Sequence, residues 1–142
     1  MAKVDFYVLN ASGDVARSRF ACRLAEKAFK LRNTVHIQTT DRARAAQLDE
    51  LLWTFRDGSF VPHEIVDGGA PTPDVPVTIG FTPDCPRSRD LLINLTDVIP
   101  PAAADYPRVA EIVTTDEDVR QRSRQHFVDY RNNGHTLDTH KL

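Results

Sequence analysis

The alternation of apolar and polar positions divides the chain into short apolar runs separated by amphipathic stretches. Val4, Phe6 and Val8, interleaved with Tyr7 and Leu9, make an almost continuous apolar run, the pattern of a strand buried on both faces. Across 15–31, Phe20, Ala21, Leu24, Ala28 and Leu31 recur at three- and four-residue spacing, while Arg19, Arg23, Lys27 and Lys30 occupy another face. That spacing predicts an amphipathic helix. After a tight Arg32-Asn33 connection, the β-branched alternation of 34–39 predicts a second strand. Asp41 is placed to cap a second helix, in which Ala45, Leu48, Leu52 and Phe55 keep helical spacing until Asp57-Gly58 stops it.

The stretch 59–66 reads as extended, and Pro62, which has no N–H to donate, marks it as an edge or irregular strand. The prolines and glycines of 68–76 predict a surface loop ahead of a strand at 77–81. A second loop, 82–89, leads into the apolar run 91–95. Prolines at 100, 101 and 107 punctuate the next segment, and 108–113 reads as a late strand. Helices alternating with short apolar strands predict a three-layer α/β/α sandwich around a mainly parallel sheet, built as a single domain over 1–142.

The last helix carries the clearest candidate chemistry. Thr115 with Asp118 is placed as a capping pair, and Asp116, Glu117 and Asp118 put negative charge at the positive end of the helix dipole. At about 100° per residue, Arg120, Arg124, Phe127 and Arg131 share a narrow sector, with Val119, Ser123, His126 and Tyr130 on the neighbouring side. Two readings follow. The strip could bind an acidic peptide with an apolar anchor, guanidinium forks taking carboxylates and Phe127 covering the anchor. Alternatively, it is a solvated charged face from which Phe127 turns inward.

Composition narrows the function classes. No apolar run approaches the roughly 20 residues needed to cross a bilayer, and the N-terminus lacks the basic-then-apolar pattern of a signal peptide. A cytoplasmic protein is expected. A net charge of −2 argues against a surface built for wholesale phosphate neutralisation. Cys22 and Cys85, isolated and without CxxC spacing, are expected to be reduced structural thiols.

Catalytic motifs are missing. No GxxxxGK[ST] follows the first strand, and no HExxH, GxSxG or EF-hand pattern occurs, so neither a metal nor a nucleotide cofactor is expected. His63-Glu64 reads as a structural polar pair rather than an active site. The stripe Arg19, Arg23, Lys27 and Lys30 could touch a nucleic-acid backbone, but a charged stripe opposite an apolar one is also the ordinary solvated side of a helix. Trp53 and Phe60 flank the Asp57-Gly58 turn, where large aromatics either anchor a partner or close the end of the core. The competing class is a small α/β nucleotide-binding domain or enzyme with its ligand at the carboxyl ends of the strands.

Leu48-Asp49-Glu50-Leu51-Leu52-Trp53 followed by Ser59-Phe60-Val61-Pro62-His63 resembles a characteristic block of the chi subunit of bacterial DNA polymerase III. The resemblance begins at Phe6-Tyr7, continues from Pro86 to Leu95, and includes Tyr130-Arg131-Asn132-Asn133-Gly134-His135-Thr136-Leu137. It implies a Rossmann-like fold without catalysis, linking the clamp loader to the acidic C-terminal tail of single-stranded-DNA-binding protein and meeting DNA only through its partners. That tail ends in aspartates and a phenylalanine. The resemblance implies a tail site of Val113, Arg120, Arg124, Phe127 and Arg131, with Phe127 where a tyrosine is usual in enterobacterial members and Val128 where a lysine is. It further implies that Trp53 and Phe60 meet the psi subunit or, in some members, an iron–sulfur repair helicase.

Overall fold

A computed structural model of the chain describes residues 2–58, 60–67, 74–86 and 89–142. The first apolar run becomes β1 (Lys3–Val8), followed by α1 (Asp14–Lys30), β2 (Val35–Gln38) and α2 (Arg42–Thr54). Then come β3 (His63–Val66), β4 (Val77–Gly80) and β5 (Leu91–Asn94). A short 3₁₀ helix (Pro101–Asp105) precedes β6 (Arg108–Val113), α3 (Glu117–Asn132) and β7 (Thr136–Lys141). Ser59, most of the 68–76 loop and residues 87–88 of the 82–89 loop fall outside the described residues.

The strands form one sheet in the order β3-β4-β2-β5-β6-β1-β7, with every described pairing parallel. Helices cover both faces, as expected for a doubly wound α/β sandwich. α1 and α2 pack on one face, where Ala21, Ala25, Leu48 and Leu52 meet Ile37, Ile79, Ile93 and Ile112. α3 and the 3₁₀ helix pack on the other, where Val119 and Tyr130 meet Val4, Phe6, Val109 and Val113. Full burial of one such aliphatic side chain is worth about 1.5–3 kcal/mol, so the two clusters supply most of the drive to fold.

β3 lies at an edge, as Pro62 predicts, and its pairing with β4 begins only at His63. The opposite edge is β7, which the hydrophobic pattern does not reveal: Thr136–Lys141 is exposed apart from the partly buried Leu137. Asp41 caps α2, its Oδ1 accepting from the Arg44 N–H at 2.8 Å. Leu31 departs from the apolar stripe expected of α1. It stands beyond the last turn and is exposed, because the chain bends away through Arg32 at φ 63°.

The predicted Thr115–Asp118 capping pair does not form. Asp116 is the N-cap residue of α3, and no side chain caps that end. Instead, Asp116 Oδ2 accepts from the Gly13 N–H at 2.9 Å and from the Thr114 hydroxyl at 2.7 Å, and these bonds hold its carboxyl below the usual range. The loops after β1 and β6 are thereby joined. In the sheet interior, His36 Nε2 lies 2.9 Å from Gln38 Oε1 and Nδ1 lies 2.7 Å from Thr78 Oγ1. Burial depresses His36 to about 4. Gly80 is required beside it, because a Cβ there would stand 2.6 Å from His36 Cε1.

Candidate functional site

α3 is built to dock through one side and leave the other open. Val119, His126 and Tyr130 are buried, whereas Arg120, Arg124 and Arg131 are exposed. A buried carboxylate holds the helix down: Glu111 of β6 accepts from Tyr130 Oη at 2.8 Å and from Asn94 Nδ2 at 2.8 Å, with His126 Nδ1 at 3.1 Å. Burial works against a charged His126, but the hydrogen bond and charge of Glu111 outweigh it and raise its pKa. Tyr130 is raised as well, by burial and then by Glu111, so its hydroxyl stays a donor.

Phe127 lies between these two sides. Its ring rests on Phe6 with centroids 5.5 Å apart, yet it is only partly buried. The aromatic therefore leans on the core while presenting surface beside the arginines. Val113, at the carboxyl end of β6, belongs to the same apolar cluster as Phe6, Val8 and Phe127. Arg124 makes one loose contact, Nη1 to Glu117 Oε1 at 3.5 Å, with both side chains exposed. Among the described residues, no carboxylate lies within ion-pair distance of Arg120 or Arg131.

The register adds two residues that pattern reading passes over. Val8 pairs with Val113 on one side and Lys141 on the other, and strand alternation puts Lys141 on the face of Leu137, toward α3. A further cation thus flanks the apolar floor. Only β7 pairing could have disclosed it.

The aromatic pair forms an exposed platform elsewhere on the molecule. Trp53 and Phe60 are 53 % and 59 % exposed, with ring centroids 5.3 Å apart. The core end is closed instead by Phe55 and Val61, which are buried. His63 stiffens the platform: its ring lies 4.9 Å from Trp53, with Nδ1 2.6 Å from the Val61 carbonyl oxygen and Nε2 3.1 Å from that of Asp49. His63 serves architecture here, joining α2 to the segment before β3.

At the carboxyl ends of β2 and β5, where an open α/β sheet usually takes a nucleotide, a cleft of about 290 Å³ is lined by Asp14, Arg17, Thr39, Arg44 and Leu95. The Gly13 N–H at the start of α1 is the kind of donor that cradles a phosphate. Here it is taken by Asp116. Arg17 bridges the strand ends, its Nε donating to the Ile112 carbonyl at 3.1 Å. Cys22 is buried and pushed up to about 12, a poor nucleophile. Among the described residues, no helix is long and apolar enough to cross a membrane.

The profile of the family described as DNA polymerase III chi subunit, HolC, matches residues 1–138. The chain is 39% identical over 142 residues to DNA polymerase III subunit chi of Pseudomonas aeruginosa, covering 100% of this chain and 98% of that one. It is 30% identical over 144 residues to the subunit of the same name from Escherichia coli, covering 98% and 97% of the two chains. With the parallel sheet and the exposed strip of α3, these matches run the length of the chain, which belongs to the DNA polymerase III chi subunit family.

Proposed function

We propose that this chain is a non-catalytic cytoplasmic adaptor, joining the clamp-loader complex to the acidic C-terminal tail of single-stranded-DNA-binding protein. The observation that carries this reading is the outer face of α3, where Arg120, Arg124 and Arg131 are exposed around the partly buried Phe127. Guanidinium forks suit the tail's aspartates. Phe127, Val113 and Val8 offer an apolar seat for its terminal phenylalanine. Modest affinity suffices, because an oligomeric partner coating the template presents many tails at high effective concentration. The ion pairs make the contact weaken with salt. Phe127 has no hydroxyl to add a hydrogen bond, and Val128 adds no charge, so apolar contact and the arginines carry the binding.

Trp53 and Phe60 form the second surface, proposed to meet the psi subunit or an iron–sulfur repair helicase. Two exposed aromatics held in contact are the usual anchors of a protein interface. The rival reading, a nucleotide-binding domain or enzyme, is disfavoured by Asp116, whose carboxylate occupies the donor a phosphate would need.

Calorimetry with a peptide ending in aspartates and phenylalanine tests the first surface. Exposed charge pairs contribute up to about 1 kcal/mol, so Arg124→Ala should weaken binding about fivefold with an unchanged melting temperature. Unchanged affinity removes the site. Trp53→Ala should leave peptide binding intact and lose the second partner in a pull-down; retention of that partner refutes the aromatic interface.

A further inference from the structure

The stripe on α1 is more than the solvated side of an amphipathic helix. α1 lies over β2 and β6, and Phe20 reaches Tyr7 of β1 with ring centroids 5.3 Å apart. Beyond β1 the helical layer ends, leaving Asp138 and His140 of β7 exposed. Beside α1, over the end of β1 and the residues that follow it, lies a concavity of about 800 Å³, lined by Arg19, Arg23 and Lys27 together with Tyr7, Phe20, Asn10 and Leu142. Among the described residues, no Asp or Glu side chain lines it.

The acidic residues of α1 are engaged elsewhere. Asp14 pairs with Arg44 at 3.0 Å, and Glu26 pairs with Arg56 at 3.2 Å and Lys30 at 3.9 Å. Among the described residues, Arg19, Arg23 and Lys27 have no carboxylate partner, in a chain whose net charge is −2. Lower on the same sheet face, Asp5 is offset by Arg108 at 3.1 Å and lies within hydrogen-bond distance of His140 at 2.9 Å, and Asp138 is offset by Lys3 at 3.4 Å. The concavity is therefore a concentrated positive field, separate from the arginines of α3.

Its geometry selects among polyanions. Four residues of α-helix advance about 6 Å, so the three cations form a row with one charge per step, close to the repeat of phosphates along an extended single strand. Flat groups lie beside that row. The Tyr7 ring stacks on His140 at 4.9 Å and 18°, and the Arg23 guanidinium lies 5.7 Å from the Phe20 centroid. Cations for phosphates beside aromatic and guanidinium planes for bases are the two elements of sequence-independent single-strand binding. An acidic tail with one apolar anchor is better served by the clustered arginines of α3. We propose that the α1 groove binds single-stranded nucleic acid directly, independently of the α3 strip.

The test is the fluorescence anisotropy of a labelled oligothymidylate of roughly 16 nucleotides, the upper end of a single-domain footprint, titrated with the full chain at low salt. The expected result is saturable binding whose log–log salt slope is about −2, for three phosphates at about 0.7 each. Arg19→Ala/Arg23→Ala/Lys27→Ala should reduce it about tenfold or more, with unchanged thermal melting and tail-peptide binding. Arg124→Ala should leave it intact. Absence of saturable binding by folded wild type, or binding that survives the triple substitution, overturns the proposal. So does groove-dependent capture of an acidic peptide without capture of the oligonucleotide.

Discussion

Tyr130→Phe isolates the bond that anchors α3. The ring is retained, so its edge contact with Phe6, at a centroid distance of 6.1 Å, should persist. What disappears is the hydroxyl donated to Glu111 Oε2 at 2.8 Å, in a site where Tyr130 is 1 % exposed. Hydrogen bonds to charged groups contribute about 1.5–3 kcal/mol. Glu111 keeps Asn94 and His126, which places the loss near the lower end, about 2 kcal/mol. For a domain of this size, each kcal/mol moves the melting temperature by roughly 2–4 °C, so a fall of roughly 4–8 °C is expected in a circular dichroism melt. Tail-peptide affinity measured well below the transition should change little, because the helix still docks. An unchanged melt would refute the stabilising role of the hydroxyl. Lost peptide binding with an unchanged melt would make Tyr130 a contact residue rather than an anchor.

Three further outcomes follow from the same structure. His36 is depressed to about 4 from 6.5, so between those values the unfolded chain binds a proton that the folded one refuses. Stability should fall by about 3 kcal/mol as pH drops through that window. His126 is raised, so its contribution is complete below 6.5 and is lost as pH rises through its folded value. Urea midpoints across both limbs check the pair: His36→Gln should flatten the acid limb, and a wild-type midpoint constant on both sides contradicts both assignments. Glu117→Gln frees Arg124 from its 3.5 Å contact and should tighten tail binding about twofold, the scale of an exposed pair; weaker binding in calorimetry would make Glu117 part of the seat.

What was legible in the amino-acid pattern is what local physics decides. The buried strand Val35–Gln38 announces itself by β-branched alternation and Leu91–Asn94 by an apolar run, Asp41 by its capping position, and the α3 sector by helical spacing alone. β7 was illegible because an edge strand buries little: it forms by pairing with β1, and only Leu137 carries an apolar signal. Lys141 was lost with it. The Thr115–Asp118 capping pair fails because Asp116 takes the N-cap position, and the donor its carboxylate finds, the Gly13 N–H, is 103 positions away in sequence. Spacing also could not orient Trp53 and Phe60, since Phe55 and Val61 compete for the same core positions and win. The α1 groove was equally hidden, because a stripe of cations acquires a concave wall only once the fold sets Tyr7, Leu9, Asn10 and Leu142 beside it.

The most direct measurement is an ¹⁵N-resolved NMR titration of the whole chain with the acidic, phenylalanine-ended peptide. Perturbations centred on Arg120, Arg124, Phe127 and Arg131 and continuing into Val8, Val113 and Lys141 are expected, with the amides around Trp53 and along Arg19–Lys27 unmoved. A response centred on either of those other surfaces, or no response from α3 at saturating peptide, would contradict the assignment of the last helix as the tail-binding face.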